Sequence, residues 1–135
     1  MAYKIVEIEG IGPSTKDKLA QAGIKTTDDL LKNCCDKKGR QTVAEKTGCS
    51  EAQLLKWTNM ADLMRISGVG QEYSELLEAA GVDTVKELRN RNAANLADAM
   101  KSSNEKKKLT RTIPKEKTVA KWIEQAKSLD PLVTH

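Results

Sequence analysis

The sequence predicts an all-α fold: one compact domain of nine to eleven short helices, made of two copies of a helical unit related by pseudo-twofold symmetry. Three observations predict it. The first is an internal repeat. Residues 8–33, IEGIGPSTKDKLAQAGIKTTDDLLKN, align with 66–91, ISGVGQEYSELLEAAGVDTVKELRNR, at an offset of 58 without gaps. The identities fall on Ile8/Ile66, Gly10/Gly68, Gly12/Gly70, Leu19/Leu77, Ala22/Ala80, Gly23/Gly81, Thr26/Thr84 and Leu30/Leu88. These are glycines, caps and apolar positions, which specify backbone and core rather than surface. The second observation is a series of helix start and stop signals. The third is negative: no segment alternates with period two for long enough to make a strand. Aromatics are only 3% of the chain, with no Phe, which disfavours a sandwich or barrel.

The elements follow in order. Gly12 opens a helix over about 13–22, with Pro13 suited to its first position. Gly23 stands where a left-handed cap ends it. Thr26 and Asp29 have capping-box spacing and start a helix to about 33, with Leu30 and Leu31 facing inward. Val43 and Ala44 lie on a helix that Gly48 ends. Ser50 with Gln53 caps the next, which carries Leu54 and Trp57 on one face. The second copy repeats the pattern: Gly70, a helix, Gly81, then Thr84 with Glu87. The last helix starts near Pro114 and presents Val119, Trp122, Ile123 and Ala126 as one stripe. Residues 50–63 and 115–129 echo each other more weakly, with Lys56 and Trp57 matching Lys121 and Trp122. The equivalent placement of the tryptophans marks both as core. The second copy carries extra residues around 101–112. The units run over about 1–65 and 66–135, integrated in one domain.

Composition excludes several classes. With 39% hydrophobic residues and 23 Lys+Arg against 19 Asp+Glu, 135 residues are too apolar and too balanced for a disordered chain. Apolar runs of a few residues cannot span a bilayer. The N-terminal stretch lacks a signal-peptide pattern, so a cytoplasmic location is expected. Three cysteines, Cys34, Cys35 and Cys49, do not suggest a disulfide framework. There is no CxxC pair, and His135 is the only histidine, so neither metal nor cofactor is expected. No nucleophile–base pair or phosphate loop of the GxxxxGK[ST] type is present, and the reading is non-enzymatic.

Apolar-x-Gly-apolar-Gly at a helix start has its own logic. The glycines reach backbone angles closed to other residues. Ile11 or Val69 plugs the core between them. The next amides stand at the positive end of a helix dipole, which suits a phosphate oxygen without reading base sequence.

This pattern resembles the helix-hairpin-helix motif of DNA-repair and recombination proteins. The stretch IEGIGPSTKDKLAQAGIKTTDDLL is similar to the hairpin units of SAM-like recombinase N-terminal domains. The double unit, with TVAEKTGCSEAQLLKWTNMADLMRISGVG between and LDPLVTH at the end, resembles more narrowly a bacterial family of unknown function, domain of unknown function 4332. The likeness covers nearly the whole chain. It implies paired hairpins and carries no established activity. By resemblance to DNA-binding hairpins, the phosphate-contacting amides fall at Gly10, Ile11 and Gly12, and again at Gly68, Val69 and Gly70. Lys16 and Lys18 fit the assisting basic residues in the first copy. The second copy departs, with Gln71, Glu72, Tyr73, Ser74 and Glu75 after Gly70, and then Glu78.

Charge adds a second candidate. Residues 101–121 hold eight basic and two acidic side chains, which gives this stretch +6 and leaves the rest of the chain at −2. Positive charge so localised suits a polyanion. Lys106, Lys107, Lys108 and Arg111 are its centre. The segment lacks interleaved aromatics, so stacking on single strands is not favoured. The function expected is sequence-independent binding of nucleic acid, foremost duplex DNA, with no membrane partner. The alternative is a protein–protein interaction module, in which the hairpins are scaffold and an acidic or apolar face docks a partner, the apolar one around Leu132 and Val133. The first reading requires Gly10, Gly12 and the 106–111 cluster on one face.

Overall fold

A computed structural model describes residues 3–134; His135, the only histidine, lies outside them. Among the described residues there are eight α-helices and no strand. They are α1 (Pro13–Gln21), α2 (Thr27–Cys34), α3 (Lys37–Thr47), α4 (Glu51–Leu63), α5 (Gln71–Ala79), α6 (Val85–Leu88), α7 (Ala93–Lys107) and α8 (Glu116–Ser128), after a 3-10 turn at Ile5–Glu7. None is long and apolar enough to cross a membrane.

The helix ends follow the sequence signals closely. Pro13 is the first residue of α1, and Gly23 follows its end at φ +82°. Thr26 accepts the Asp29 N–H at 3.2 Å while Asp29 accepts the Thr26 N–H at 3.1 Å, a reciprocal box worth about 1 kcal/mol. The Asp29 carboxyl is held below its ordinary pKa, first by a bond from the Lys25 N–H. Ser50 and Gln53 close α4 in the same way. α8 begins two residues beyond Pro114, with Lys115 at its N-cap.

The buried residues form two clusters that follow the repeat. Ile5, Ile8, Ile11, Leu19, Ile24, Leu30, Leu54 and Trp57 pack in the first. Ile66, Val69, Leu76, Leu77, Val82, Leu88, Val119 and Trp122 pack in the second. The division passes through the end of α4: Leu63 belongs to the second cluster and Met64 to the first. Asp62, 1% exposed, is the polar joint there. One of its oxygens meets Arg65 at 2.8 Å, and the other accepts the Val85 N–H at 2.9 Å, capping α6.

Three features depart from the sequence reading. The extra residues around 101–112 begin inside a helix that the sequence reading did not assign, because α7 runs from Ala93 to Lys107. Its apolar signal is thin: Leu96 and Met100 are buried four apart, and the next position on that face is Asn104, which is buried although polar. Second, Val133 is not part of an exposed patch. It is buried in the first core, at 7% exposure. Third, residues past α8 return to the first unit: Thr134 donates its N–H to the Cys35 carbonyl at 2.8 Å. Arg40, itself buried, donates to the carbonyls of Cys34 at 2.9 Å and Thr134 at 2.7 Å.

Candidate functional site

The two glycine turns have the same backbone. In the first, the Ile11 N–H donates to the Ile8 carbonyl at 3.2 Å; in the second, the Val69 N–H donates to the Ile66 carbonyl at 3.1 Å. Gly10 sits at φ +93° and Gly68 at φ +92°, where other residues are strained. A tryptophan lies against each: a Cβ on Gly10 would come within 3.1 Å of Trp57 Nε1, and one on Gly68 within 3.4 Å of Trp122 Nε1. The second apolar residue of each turn, Ile11 or Val69, is buried beside it. The turn is thus wedged between a core plug and an indole edge.

This geometry refines the donor set. The N–H groups of Ile11 and Val69 are already spent inside the turns. Those of Gly10, Gly12, Gly68 and Gly70 meet no acceptor among the described residues. Gly12 and Gly70 are the N-caps of α1 and α5, and neither has a side chain to close the first turn. The following amides therefore stay open as well: Ser14 and Thr15 in α1, and Gln71, Glu72 and Tyr73 in α5. Pro13 has none. Lys16 and Lys18 are exposed on α1. At the position equivalent to Lys16, Ser74 is fully buried and donates its hydroxyl to the Gln71 carbonyl at 2.8 Å.

The turns lie side by side. Gln71, first residue of α5, donates from Nε2 to Glu9 Oε2 at 3.0 Å, and Glu9 immediately precedes Gly10. Between the units opens a cleft of about 280 Å³ lined by Glu9, Lys56, Glu75, Glu78 and Lys107. The Glu75 carboxyl is pushed above its ordinary pKa, first by burial and then by Glu9 and Glu78, with Lys56 opposing.

The basic cluster reaches this cleft through Lys107. Lys106 and Lys107 are the last residues of α7, and Lys108 is its C-cap in the left-handed region at φ +50°. Lys106, Lys107, Lys108 and Arg111 are all exposed. Neither of the two ion pairs among the described residues involves them. The segment that follows is tied down. Asn104 donates from Nδ2 to the Thr110 carbonyl at 3.0 Å and accepts the Thr110 N–H at 2.9 Å. Tyr73, in the first turn of α5, donates its hydroxyl to the Thr112 carbonyl at 3.1 Å, while its ring leans on Trp122 with centroids 5.3 Å apart. The two turns are thus linked through Glu9 and Gln71, Thr112 is tied to α5 through Tyr73, and of the 106–111 cluster Lys107 lines the cleft.

Lys56, Tyr73 and Asn104 were not singled out as site residues from the sequence. Tyr73 carries a signal only in retrospect: an aromatic with a hydroxyl, two residues into an N-terminal turn. Asn104 is an amide on an apolar stripe, which a search for hydrophobic period passes over.

The cysteines have a different character. All three are free thiols. Burial pushes the Cys34 thiol up to about 11, against the partial opposition of Arg40, which removes it from thiolate chemistry near neutral pH. Among the described residues no group of three or more His, Cys, Asp or Glu is arranged to hold a metal.

Residues 9–129 match the family described as Domain of unknown function (DUF4332). The chain belongs to that family. No curated protein and no solved structure matches it. The DUF4332 match begins at Glu9, beside the first glycine turn, and ends at Leu129, just past α8, so it takes in both turns and the basic cluster.

Proposed function

We propose that this DUF4332 chain is a non-catalytic, cytoplasmic bacterial module that binds nucleic acid without reading sequence, duplex DNA foremost. In this reading each glycine turn with its flanking helices is a helix-hairpin-helix unit. The observation that supports it most is a pair of uncapped helix starts joined by the Gln71–Glu9 bond, with Lys107 of an exposed basic cluster lining the cleft between the two units. Open amides on a helix start favour a phosphate oxygen, and clustered Lys and Arg side chains release counterions from a polyanion. Nothing in this constellation reads a base edge, so discrimination between sequences is small.

Turn one is the stronger phosphate position. Its helix carries Lys16 and Lys18, whereas α5 carries Glu72, Glu75 and Glu78. That acidic face is also the feature a protein partner with basic side chains would meet, and it favours the interaction reading as the alternative.

The test is fluorescence anisotropy of a labelled duplex, titrated across a salt series. Wild type is compared with the triple variant Lys106→Glu, Lys107→Glu, Lys108→Glu. The expected result is binding that weakens with salt, with a slope of about −0.9 per phosphate neutralised, and at least a tenfold loss in the variant. Absence of binding at low salt rejects the proposal, and a pull-down for protein partners then tests the alternative.

A further inference from the structure

The acidic start of α5 raises a problem for turn two, and the structure supplies its answer from elsewhere in the chain. We propose that Tyr73 and Asn104 are positioning residues that hold the basic segment 106–111 along α5, the helix that turn two opens, as the cationic side that α5 lacks. The inference rests on the nucleic-acid reading and adds to it a device: a pre-ordered basic loop, rather than a floppy one, facing the polyanion.

Four observations carry it. The end of α7 is forced into a conformation that a lysine disfavours, with Lys108 at φ +50°. Such a residue persists where its surroundings over-determine it. Here they do: Asn104 accepts the Lys108 N–H on its main-chain carbonyl at 2.8 Å and grips Thr110 with both side-chain atoms. Asn104 is 9% exposed, so the amide is withdrawn from water and needs these partners. Third, two donors, the Thr110 hydroxyl at 3.0 Å and the Tyr73 hydroxyl at 3.1 Å, converge on the Thr112 carbonyl. Fourth, Tyr73 anchors this carbonyl to the first turn of α5, three residues beyond Gly70, and Ser103 ties α7 to the Ala79 carbonyl at the other end of the same helix. The loop is therefore fixed to α5 at both ends.

The consequence concerns entropy. A loop ordered only on binding subtracts its ordering cost from affinity, and a loop ordered beforehand does not. Loosening the clamp should lower affinity while leaving the number of phosphates contacted unchanged. Deleting a lysine should lower both.

The experiment uses the full chain with Tyr73→Phe, which keeps the ring on Trp122 and removes one hydroxyl, and Asn104→Ala, which removes the grip on Thr110. Limited trypsin digestion reads the clamp directly, because trypsin cuts after Lys106, Lys107, Lys108 and Arg111. Both variants should be cut several-fold faster there than wild type. Duplex affinity should fall about three- to tenfold with an unchanged salt slope, whereas Lys107→Ala should make the slope shallower by about 0.9. Equal cleavage rates would overturn the clamp. Faster cleavage with unchanged duplex affinity would overturn its role in binding. A wild-type chain that binds no duplex would overturn the nucleic-acid reading, and with it the purpose assigned to the clamp.

Discussion

Gly10 shows how much a single position decides. At its φ of +93° a side chain is strained, and a Cβ there would press on the indole edge of Trp57 at 3.1 Å. Gly12, two residues on, is at φ −92° with open space where a Cβ would stand. The two glycines are identical as letters and opposite in tolerance. Gly10→Ala should cost about 1–3 kcal/mol through left-handed strain and the close Trp57 contact. Gly12→Ala should stay within about 1 kcal/mol, the loss expected when Ala replaces Gly at an N-cap. Urea denaturation of both variants measures the difference; equal losses would mean that the indole contact does not constrain the turn.

Among the elements, the informative pair is α4 against α5. They meet across the cleft where Glu75 lies with Glu9, Glu78 and Lys56. Burial and like charge raise the Glu75 pKa above 4.5 in the folded chain. A carboxyl with a raised folded pKa favours the native state most at low pH. That contribution is fully present below the unfolded value and is lost as pH rises through the folded one. Glu75→Gln mimics the protonated form. It should raise Tm at pH 7 and raise it less near pH 4, where wild-type Glu75 gains its own proton. An equal gain at both pH values would assign the effect to packing rather than charge. The same substitution lessens the acidity beside the turns, so it should also strengthen duplex binding if the proposed function is right.

At the scale of the whole molecule, the chain beyond α8 joins the two cores. Val133 is buried in the first cluster, Arg40 and Cys35 hold Thr134, and Arg65 donates to the Asp130 carbonyl at 2.9 Å. These contacts span 65 to 99 residues of sequence. Val133→Ala, past the last helix and in a segment with no secondary structure, should cost about 1–3 kcal/mol because it removes buried methyl groups and leaves a void. A denaturation midpoint equal to that of wild type would show that the segment does not brace the two units.

The helical class, both ends of α1 and α2, the end of α3, the start of α4, the two glycine turns and both core tryptophans were legible from residue types and spacing alone. Each depends on local rules: left-handed backbone for Gly23 and Gly48, reciprocal caps at Thr26 and Ser50, and period 3.6 for Val119, Trp122 and Ile123. The donor set of the turns, the length of α7, the placement of Tyr73 and Asn104 and the burial of Val133 were decided by tertiary structure. They rest on partners far along the chain or on polar groups that are buried only because something else satisfies them. Asn104 can be buried only because Thr110 folds back onto it, and Val133 reads as part of an exposed apolar patch until Arg40 and Cys35 hold its neighbour Thr134. Local signals specify which elements form, because backbone angle and side-chain period act over a few residues. The neighbourhood of the basic cluster and the glycine turns depends on how those elements close upon one another, and long-range packing alone sets that.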